Sequence, residues 1–371
     1  MDHLQRIGAV CAAMKGAGVD LVVGIHDGAH FIETPNPVMV LARFKSLGPS
    51  AVVIDQSGGI DLVVTPAWDA ERALAAGGNL RVTGANDVGE GLAAVLDRRR
   101  AGKARIGVAG LTWLPFIIAA DLPRLLPDAG NADAIVFGPA AVKTDEEIAD
   151  AREATRIAEL AYERLLEIVE PGVNEDALAV ELRRYTRSLG AEDNFLLLCA
   201  GPHNRAVAPS NGRKLEAGDV VLAEITPSIR GQLAQVCRTV VLSRAPELLA
   251  QKYKLVCRAM DAGIAAAVPG VPMSDVCRAI NAVLEAEGYA EFCYPPHIRR
   301  RGHGLGFACN EPGDVALDNQ TPLAPGMIFM IHPNQYLPET GYLLCGEPVL
   351  MTEHGAEPLT ARKATLAEFW G

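Results

Sequence analysis

The residues best suited to chemistry lie in three segments near the end of the chain: RGHGLGF at 301–307, PGMIFMIHPNQY at 325–336 and GEPVLMTEHG at 346–355. The first two segments each contain an internal histidine, His303 and His332. A neutral imidazole exchanges protons near neutral pH and can also hold a polar substrate. A histidine between glycines, such as His303, is either a packed loop residue or part of a site. The motifs around His303 favour a role in a site.

A second group of candidate residues lies upstream. GPHN contains His203, VVLAEITP contains Glu224, and GQLAQVCRT contains Gln235 and Cys237. Next to a histidine, Cys237 could act as a nucleophile, although a cysteine is more often a small buried apolar residue.

Charged residues accompany these candidates. Three arginines precede His303 in HIRRRGH. On a solvated face they only add charge, whereas one arginine turned inward would bind a substrate carboxylate through its planar fork. Glu347 follows Gly346 and is either an acid of the site or a strand-end surface residue.

The elements that position these residues fall into two parts. The first 140 residues alternate helix and strand patterns and predict an α/β unit. Helices are expected at about 2–18, 68–77, 88–100 and 113–122. Strands are expected at DLVVGI and RIGVAG, and SAVVIDQSGGIDLVVTP predicts two strands joined by a Ser-Gly-Gly turn. No GxGxxG or Walker pattern follows a strand, so nucleotide binding has no support.

The pattern changes at KTDEEIADAREATRIAELAYERLLEI, where Thr144 is a suitable N-cap and Glu147 its capping-box partner. The domain boundary is therefore predicted just before Lys143, giving domains 1–142 and 143–371. The second domain is β-rich. Its further helices are expected at about 174–189, 246–267 and 273–287.

Composition narrows the possible functions. The 371 residues are 49% hydrophobic and 21% charged, as in ordinary globular proteins. The net charge of −11 argues against nucleic acid as the main partner, because phosphate binding needs a basic face. No apolar run reaches membrane-spanning length, and the N-terminus does not match a signal peptide. We therefore expect a cytoplasmic protein whose eight cysteines are reduced.

Several of these motifs occur in the same order in one known family. Their order resembles the "pita-bread" superfamily of creatinase, prolidase and methionine aminopeptidase. The segments that carry the resemblance are the helix from KTDEEI to PGV, then GPHN, RKLEAGDVVLAEITPSIRGQLAQVCRT, RGHGLG and PGMIFMIHP. The resemblance implies an α/β creatinase-like N-terminal domain followed by an α+β pita-bread catalytic domain.

The resemblance also identifies the metal-ligand positions. In the metallopeptidases, two Asp, one His and two Glu hold two metals. The corresponding positions here are Glu224, Gln235, His303, His332 and Gly346. Only the histidine is kept, and a neutral Gln and a Gly cannot replace carboxylates. The sequence therefore predicts that the protein is not a two-metal aminopeptidase and has no metal cofactor.

Two features resemble metal-independent creatinase more than the peptidases. GPHN matches its G-x-H-N motif, which makes His203 the predicted general acid/base, and Pro227 matches a proline of creatinase. The guanidinium-binding acids of creatinase fall on Cys237 and Gly346, so creatine itself is excluded as a substrate.

These observations predict a metal-independent, creatinase-like hydrolase that cleaves a C–N bond, of amide or amidine type, in a small polar, carboxylated metabolite. Lyase chemistry on the same fold is also open. The predicted catalytic residues are His203, Glu224 and His303. The predicted substrate contacts are His332, Gln235, Cys237 and Glu347, with His26, His30 and Phe31 from a loop of the N-terminal domain. The resemblance implies a homodimer in which this domain lies near the site of the other subunit.

Two alternatives differ in class. Glu224, His303 and His332 could form a two-His-one-carboxylate site for one Zn or Fe ion. The chain could also be a binding protein that has kept the fold and lost catalysis.

Overall fold

Two units build this computed structural model, Met1–Asp145 and Glu146–Gly371. The structure describes residues 1–120, 122–309 and 311–369. The first unit has a six-stranded mixed sheet in the order β4-β3-β2-β1-β5-β6. Its strands are β1 Leu21–His26, β2 Ser50–Asp55, β3 Ile60–Val64, β4 Leu80–Gly84, β5 Ile106–Ala109 and β6 Gly130–Asn131. Its helices are α1 His3–Ala17, α2 Pro37–Ala42, α3 Asp69–Ala75, α4 Val88–Arg98, α5 Phe116–Ala119, α6 Leu122–Leu125 and α7 Asp133–Ala141.

The first unit has its own core and a buried charge cluster. Valines and leucines of β1, β2 and β3 pack against Leu92 and Val95 of α4. The fully buried Asp61 of β3 accepts hydrogen bonds from Arg98 and Arg99 at 2.5 Å each. Burying a carboxylate is tolerated only when it is paired in this way, so the two arginines fix the end of α4 on the sheet.

The described part of the second unit contains four α-helices and three small sheets. The helices are α8 Asp145–Ile168, α9 Glu175–Ser188, α10 Glu247–Ala266 and α11 Met273–Ala286. The strands are β7 Asn194–Gly201, β8 Val220–Ile229, β9 Gln232–Leu233, β10 Val236–Val241, β11 Ile328–Ile331, β12 Gln335–Leu337, β13 Gly341–Leu343, β14 Glu347–Thr352, β15 Gly355–Pro358 and β16 Ala367–Glu368. The sheets have the orders β16-β10-β8-β7, with β9 on β8, then β11-β14-β15 and β12-β13.

The observed sheets and helices agree with the predicted fold class, an α/β N-terminal domain followed by an α+β domain. One predicted helix is wrong. The segment 113–122 begins with a 3₁₀ turn and continues as the separate short helices α5 and α6. Pro115 precedes α5, and a proline disfavours helical backbone in the residue before it. None of the described helices is long and apolar enough to cross a membrane.

Candidate active site

The candidate site begins where three strand segments of the second unit lie side by side. Glu224 of β8 is directly opposite Cys237 of β10, and Cys237 is directly opposite Gly346, just before β14. Directly opposite residues of antiparallel strands point to the same face of a sheet. Antiparallel pairing therefore presents Glu224, Cys237 and the bare backbone of Gly346 on one surface.

Glu224 has two polar neighbours on that surface. The Gln235 amide donates to it at 2.8 Å, and the Cys237 thiol donates at 3.8 Å. Burial raises the pKa of Glu224 to about 7, while the Cys237 hydrogen bond and the positive charge of Arg300 act to lower it. The carboxyl group is therefore close to half-ionised at neutral pH, as a general acid/base requires. Burial also raises the pKa of Cys237, which keeps it a neutral thiol.

His332 covers the backbone of Gly346. A Cβ added to Gly346 would lie 2.6 Å from the Cβ of His332 and 3.3 Å from the Cys237 sulfur. No side chain fits at residue 346 without moving the backbone, so His332 occupies the side of the site where the matched peptidases carry an acid.

His303 adjoins His332, with ring centroids 5.0 Å apart. The Nδ1 atom of His303 lies 2.9 Å from the carbonyl oxygen of Gly304. A carbonyl only accepts, so Nδ1 carries the proton and Nε2 is left as an acceptor. Burial, helped by Arg300, lowers the pKa of His303 to about 4, so the ring is neutral at pH 7.

His332 takes the opposite tautomer. Its Nδ1 lies 3.4 Å from the Nδ2 of Asn334, whose Oδ1 accepts from the backbone N–H of Cys345 at 3.1 Å. That second bond fixes the amide orientation, so the Asn334 NH₂ donates to Nδ1 and the His332 proton lies on Nε2. Burial and the neighbouring His303 and Arg300 lower the pKa of His332, which is also neutral. The site thus contains one imidazole that donates and one that accepts.

Asn334 and Tyr342 were not among the predicted site residues. Burial raises the pKa of Tyr342, and so does negative charge on Glu224, which places its hydroxyl near that carboxyl group. Asn334 lies two residues after His332, and that spacing in IHPN is the one signal that could have identified it. The short hairpin of β12 and β13 gives no comparable signal for Tyr342.

Of the charged residues near the motifs, Arg300 acts on the site. Its positive charge acts on Glu224, His303 and His332, while its guanidinium also donates to Asp314 at 2.7 Å. The neighbouring Arg301 is instead buried and held by side-chain and main-chain oxygens.

Glu347 and Arg238 form a buried pair. Their closest nitrogen and oxygen are 2.9 Å apart, and Thr360 donates to the other oxygen of Glu347 at 2.5 Å. Arg238, only 2% exposed, also donates to the carbonyl oxygens of Cys237 and Gly346. The pair ties β10 to β14, and a substrate contact by Glu347 stays a prediction.

The remaining predicted residues lie elsewhere. His203 is exposed, with its Nε2 3.0 Å from the Pro338 carbonyl and its ring against Tyr336, so its catalytic role stays a prediction. In the first unit, His26 stacks on Phe31 at 4.8 Å between ring centroids, and Asp27 accepts from His30 at 2.5 Å. The contact of this loop with a substrate also stays a prediction.

The side chains present do not fit the metals of the matched peptidases. Within residues 1–120, 122–309 and 311–369, no group of three or more His, Cys, Asp or Glu side chains could hold a metal ion. Glu224, His303 and His332 are not among such groups, and the alternative mononuclear site stays a prediction. Gln235 already donates to Glu224, and Gly346 offers no ligand at all.

Comparison with known proteins assigns the family. Residues 149–353, more than half of the chain, match the sequence profile of Metallopeptidase family M24. The chain belongs to family M24. It is similar to the uncharacterized peptidase YqhT of Bacillus subtilis, with 29% identity over 59% of this chain and 62% of that protein. It is also similar to the Xaa-Pro dipeptidase of Pyrococcus furiosus, with 27% identity over 61% of this chain and 64% of that protein. The match thus spans less than two thirds of each of these relatives.

Several solved structures have the same fold as this chain. The prolidase of Pyrococcus horikoshii superposes with a TM-score of 0.84 at 20% identity, covering 97% of this chain and 99% of its own. The Xaa-Pro dipeptidase of Bacillus anthracis gives 0.84 at 21%, covering 99% and 100%. Dipeptidase PepE of Mycobacterium ulcerans gives 0.81 at 24%, covering 99% and 97%. At these identities, the superpositions establish the fold.

Two predictions require correction or restriction. The expectation of no metal cofactor is wrong for this family, which is one of metallopeptidases with prolidases among its similar structures. The donor set of this member does not fit those metals, so the chemistry below is assigned to its own side chains alone. The pita-bread superfamily is confirmed, whereas the relatives above are peptidases and prolidases rather than creatinase.

Proposed function

We propose that this M24 protein is a hydrolase that cleaves the C–N bond of a small, peptide-like molecule with a free carboxylate. Family membership supports hydrolysis, and two similar proteins are named as Xaa-Pro dipeptidases. A dipeptide has one such C–N bond and one free carboxylate. A cytoplasmic location and a homodimer stay predictions.

The observation that carries the proposal is the combination of Glu224 with two neutral imidazoles of opposite tautomer. Hydrolysis needs a group that removes a proton from water and later protonates the leaving nitrogen. It also needs a donor that stabilises the developing oxyanion. Glu224, with its pKa near 7, suits the first task, and the Nε2–H of His332 suits the second.

The proposed sequence of events uses these groups in turn. The ionised Glu224 takes a proton from a water molecule, which attacks the carbon of the scissile bond. His332 donates to the oxygen on which negative charge develops. His303, through its unprotonated Nε2, accepts a hydrogen bond from the substrate N–H or from the water. Glu224 then transfers its proton to the departing nitrogen, which restores the carboxylate.

A substrate carboxylate would be attracted by the positive charge of Arg300, which also pairs with Asp314. Arg300 supplies a positive charge that acts on all three proposed catalytic groups. A planar guanidinium binds a carboxylate through two parallel hydrogen bonds, which orients as well as attracts it. The loss of acids at residues 235 and 346 removes the negative charge that would repel such a group.

The test is a substrate screen with two matched variants. Purified protein is assayed for amine release from Xaa-Pro dipeptides, other dipeptides, and N-carbamoyl and N-amidino amino acids, with and without added divalent metal ions. We expect turnover of one class, a loss of about 10²–10⁴ in kcat for Glu224→Gln, and none for the exposed Glu353→Gln. The proposal is refuted if compounds bind but none is turned over. It is also refuted if Glu224→Gln keeps full activity.

A further inference from the structure

Three sulfur atoms of the second unit lie together, with Cys345 in contact with the other two. The sulfur of Cys257 is 3.8 Å from that of Cys345, and the Cys345 sulfur is 3.5 Å from that of Met260. Cys257 and Met260 are three residues apart on α10 and so share one face of the helix. Cys345 reaches them from the segment before β14. We call these three residues the sulfur cluster.

A second observation points to a ligand missing from the sulfur cluster. Tyr253 lies four residues before Cys257 on the same face of α10, and it is only 2% exposed. Its hydroxyl has no hydrogen-bond partner among the residues that the structure describes. It nevertheless interacts electrostatically with both Cys257 and Cys345. A buried hydroxyl without a partner costs about 1–3 kcal/mol, and a thiolate sulfur would supply the missing acceptor.

The surroundings suit an ion held by thiolates. The two cysteine sulfurs lie 3.8 Å apart, close enough for one ion to contact both. Cys345 and Met260 belong to the core, whereas Cys257 is partly exposed. An ion therefore has a route from solvent to the first sulfur and a low-dielectric environment behind it.

We propose that Cys257, Cys345 and Met260 form a site for one soft monovalent metal ion of the Cu(I) class. Thiolate and thioether sulfurs are the ligands that select Cu(I), whereas Mg²⁺ and Ca²⁺ need oxygen. Structural zinc sites need four nitrogen or sulfur ligands, and the described part of the chain contains no group of three or more His, Cys, Asp or Glu that could hold a metal ion.

The binding step is balanced without an oxidant or a reductant. The two thiols each release one proton to solvent, and the ion remains Cu(I) throughout. Two thiolates and one Cu⁺ carry a single negative charge. The Tyr253 hydroxyl then donates to a metal-bound thiolate, as residues around metal ligands commonly do.

The test is an anaerobic titration of the full chain with Cu(I) in competition with the chromogenic chelator bicinchoninate. We expect one ion per chain and a Cu(I) X-ray absorption spectrum with a sulfur-only shell. Cys257→Ser should lower the affinity on the order of 100-fold, and Met260→Leu about tenfold with loss of one sulfur from the shell. Both replacements nearly preserve side-chain volume, and circular dichroism checks that each variant folds.

Cys11→Ser is the matched control. The Cys11 sulfur lies 3.6 Å from the main-chain oxygen of Asp55. The Cys257 sulfur lies at the same distance from the main-chain oxygen of Ala364. This variant should bind Cu(I) as the wild type does. The proposal fails if the wild type takes no copper from the chelator. It also fails if Cys257→Ser or Met260→Leu binds as tightly as the wild type.

Discussion

Two buried glutamates on either side of β10 illustrate how neighbours decide what a residue does. Glu224 faces an amide and a thiol, and burial raises its pKa to about 7. Glu347 faces the guanidinium of Arg238 and the hydroxyl of Thr360. The same side chain is therefore a candidate proton carrier in one position and a structural counter-ion in the other.

Replacing Glu224 by glutamine should stabilise the fold at high pH. The folded pKa near 7 exceeds the ordinary value of 4.5, so the folded protein holds a proton that the unfolded chain releases between these pH values. Wild-type stability therefore falls as pH rises from 4.5 to 7. The neutral side chain of Glu224→Gln has no proton to release, so this variant does not lose stability in the same way. Its free energy of unfolding at pH 8 should exceed that of the wild type by up to about 3 kcal/mol.

Urea unfolding at several pH values measures this difference. At pH 4.5 the two proteins should be nearly equal in stability, since both carry a neutral side chain at residue 224. A difference that does not change with pH would contradict the assignment of the raised pKa to this carboxyl.

Glu347→Gln should have the opposite effect. It leaves Arg238 buried without its counter-ion, which typically costs 3–5 kcal/mol, or about half of the stability of an ordinary domain. Thermal unfolding at pH 7 measures the loss. A variant as stable as the wild type would show that the pair does not hold β10 to β14.

Asn334→Ala should alter the tautomer of His332, and it should also cost about 1–3 kcal/mol because the buried Cys345 N–H loses its acceptor. Without the amide donor, His332 is free to move its proton to Nδ1, and the oxyanion donor is lost from Nε2 in that tautomer. We expect the ¹⁵N chemical shifts of His332 to change from one tautomer to a mixture, with His332→Gln used to assign the signals. Unchanged shifts would mean that Asn334 does not set the tautomer. Asn334→Asp, which can only accept when ionised, should favour protonation of Nδ1 instead.

At the scale of single residues, the sequence indicated candidate site residues better than the side chains that contact them. The GHGLG and MIHP motifs identified His303 and His332 because their spacing is local. Asn334 acts only through the simultaneous contact with His332 and the Cys345 backbone, eleven residues away on another segment. Nothing in a single sequence reveals such a three-body contact, and the same is true of Tyr253, which lies beside Cys257 of its own helix and the distant Cys345.

At the scale of elements, the approach of β11 to β14 depends on Gly346. We expect Gly346→Ala to cost about 1–3 kcal/mol, because its methyl group would lie 2.6 Å from the Cβ of His332. The double variant Gly346→Ala/His332→Ala should be no better, since alanine keeps that Cβ. Gly8→Ala, on an exposed helix position with no heavy atom within 4 Å, should instead be neutral or slightly stabilising. Chemical unfolding measures the free energy of unfolding of the three variants. A Gly346→Ala protein as stable as the wild type would contradict the close approach of residues 346 and 332.

Helices were predicted more successfully than sheets. Apolar residues at helical spacing identified α8, α9, α10 and α11 to within one or two residues of their bounds. The pairing of Cys237 with Gly346 joins residues more than a hundred positions apart, and period-two patterns contain no information on partners. The site exists only through that pairing, so its geometry could not be derived from spacing alone.

At the scale of the whole molecule, the first unit should fold alone. Residues 1–145 contain a complete six-stranded sheet and their own apolar core, and Arg6 of α1 donates to the Val142 carbonyl at 2.8 Å. We expect the isolated segment to unfold cooperatively, with a stability on the order of 5 kcal/mol. Circular dichroism during urea unfolding tests this. A gradual, non-cooperative change would show that the segment needs the rest of the chain.

The contact between Gly346 and His332 also limits how such a site can change over generations. The atom that crowds residue 346 is the Cβ of residue 332, which every amino acid except glycine possesses. Replacing the histidine therefore opens no room, and an acid fits at position 346 only after the backbones of β11 and β14 separate. Placing an acid there takes several concerted substitutions rather than one. Directed evolution toward the metallopeptidase ligand set should stall at this step unless the strand spacing is altered first.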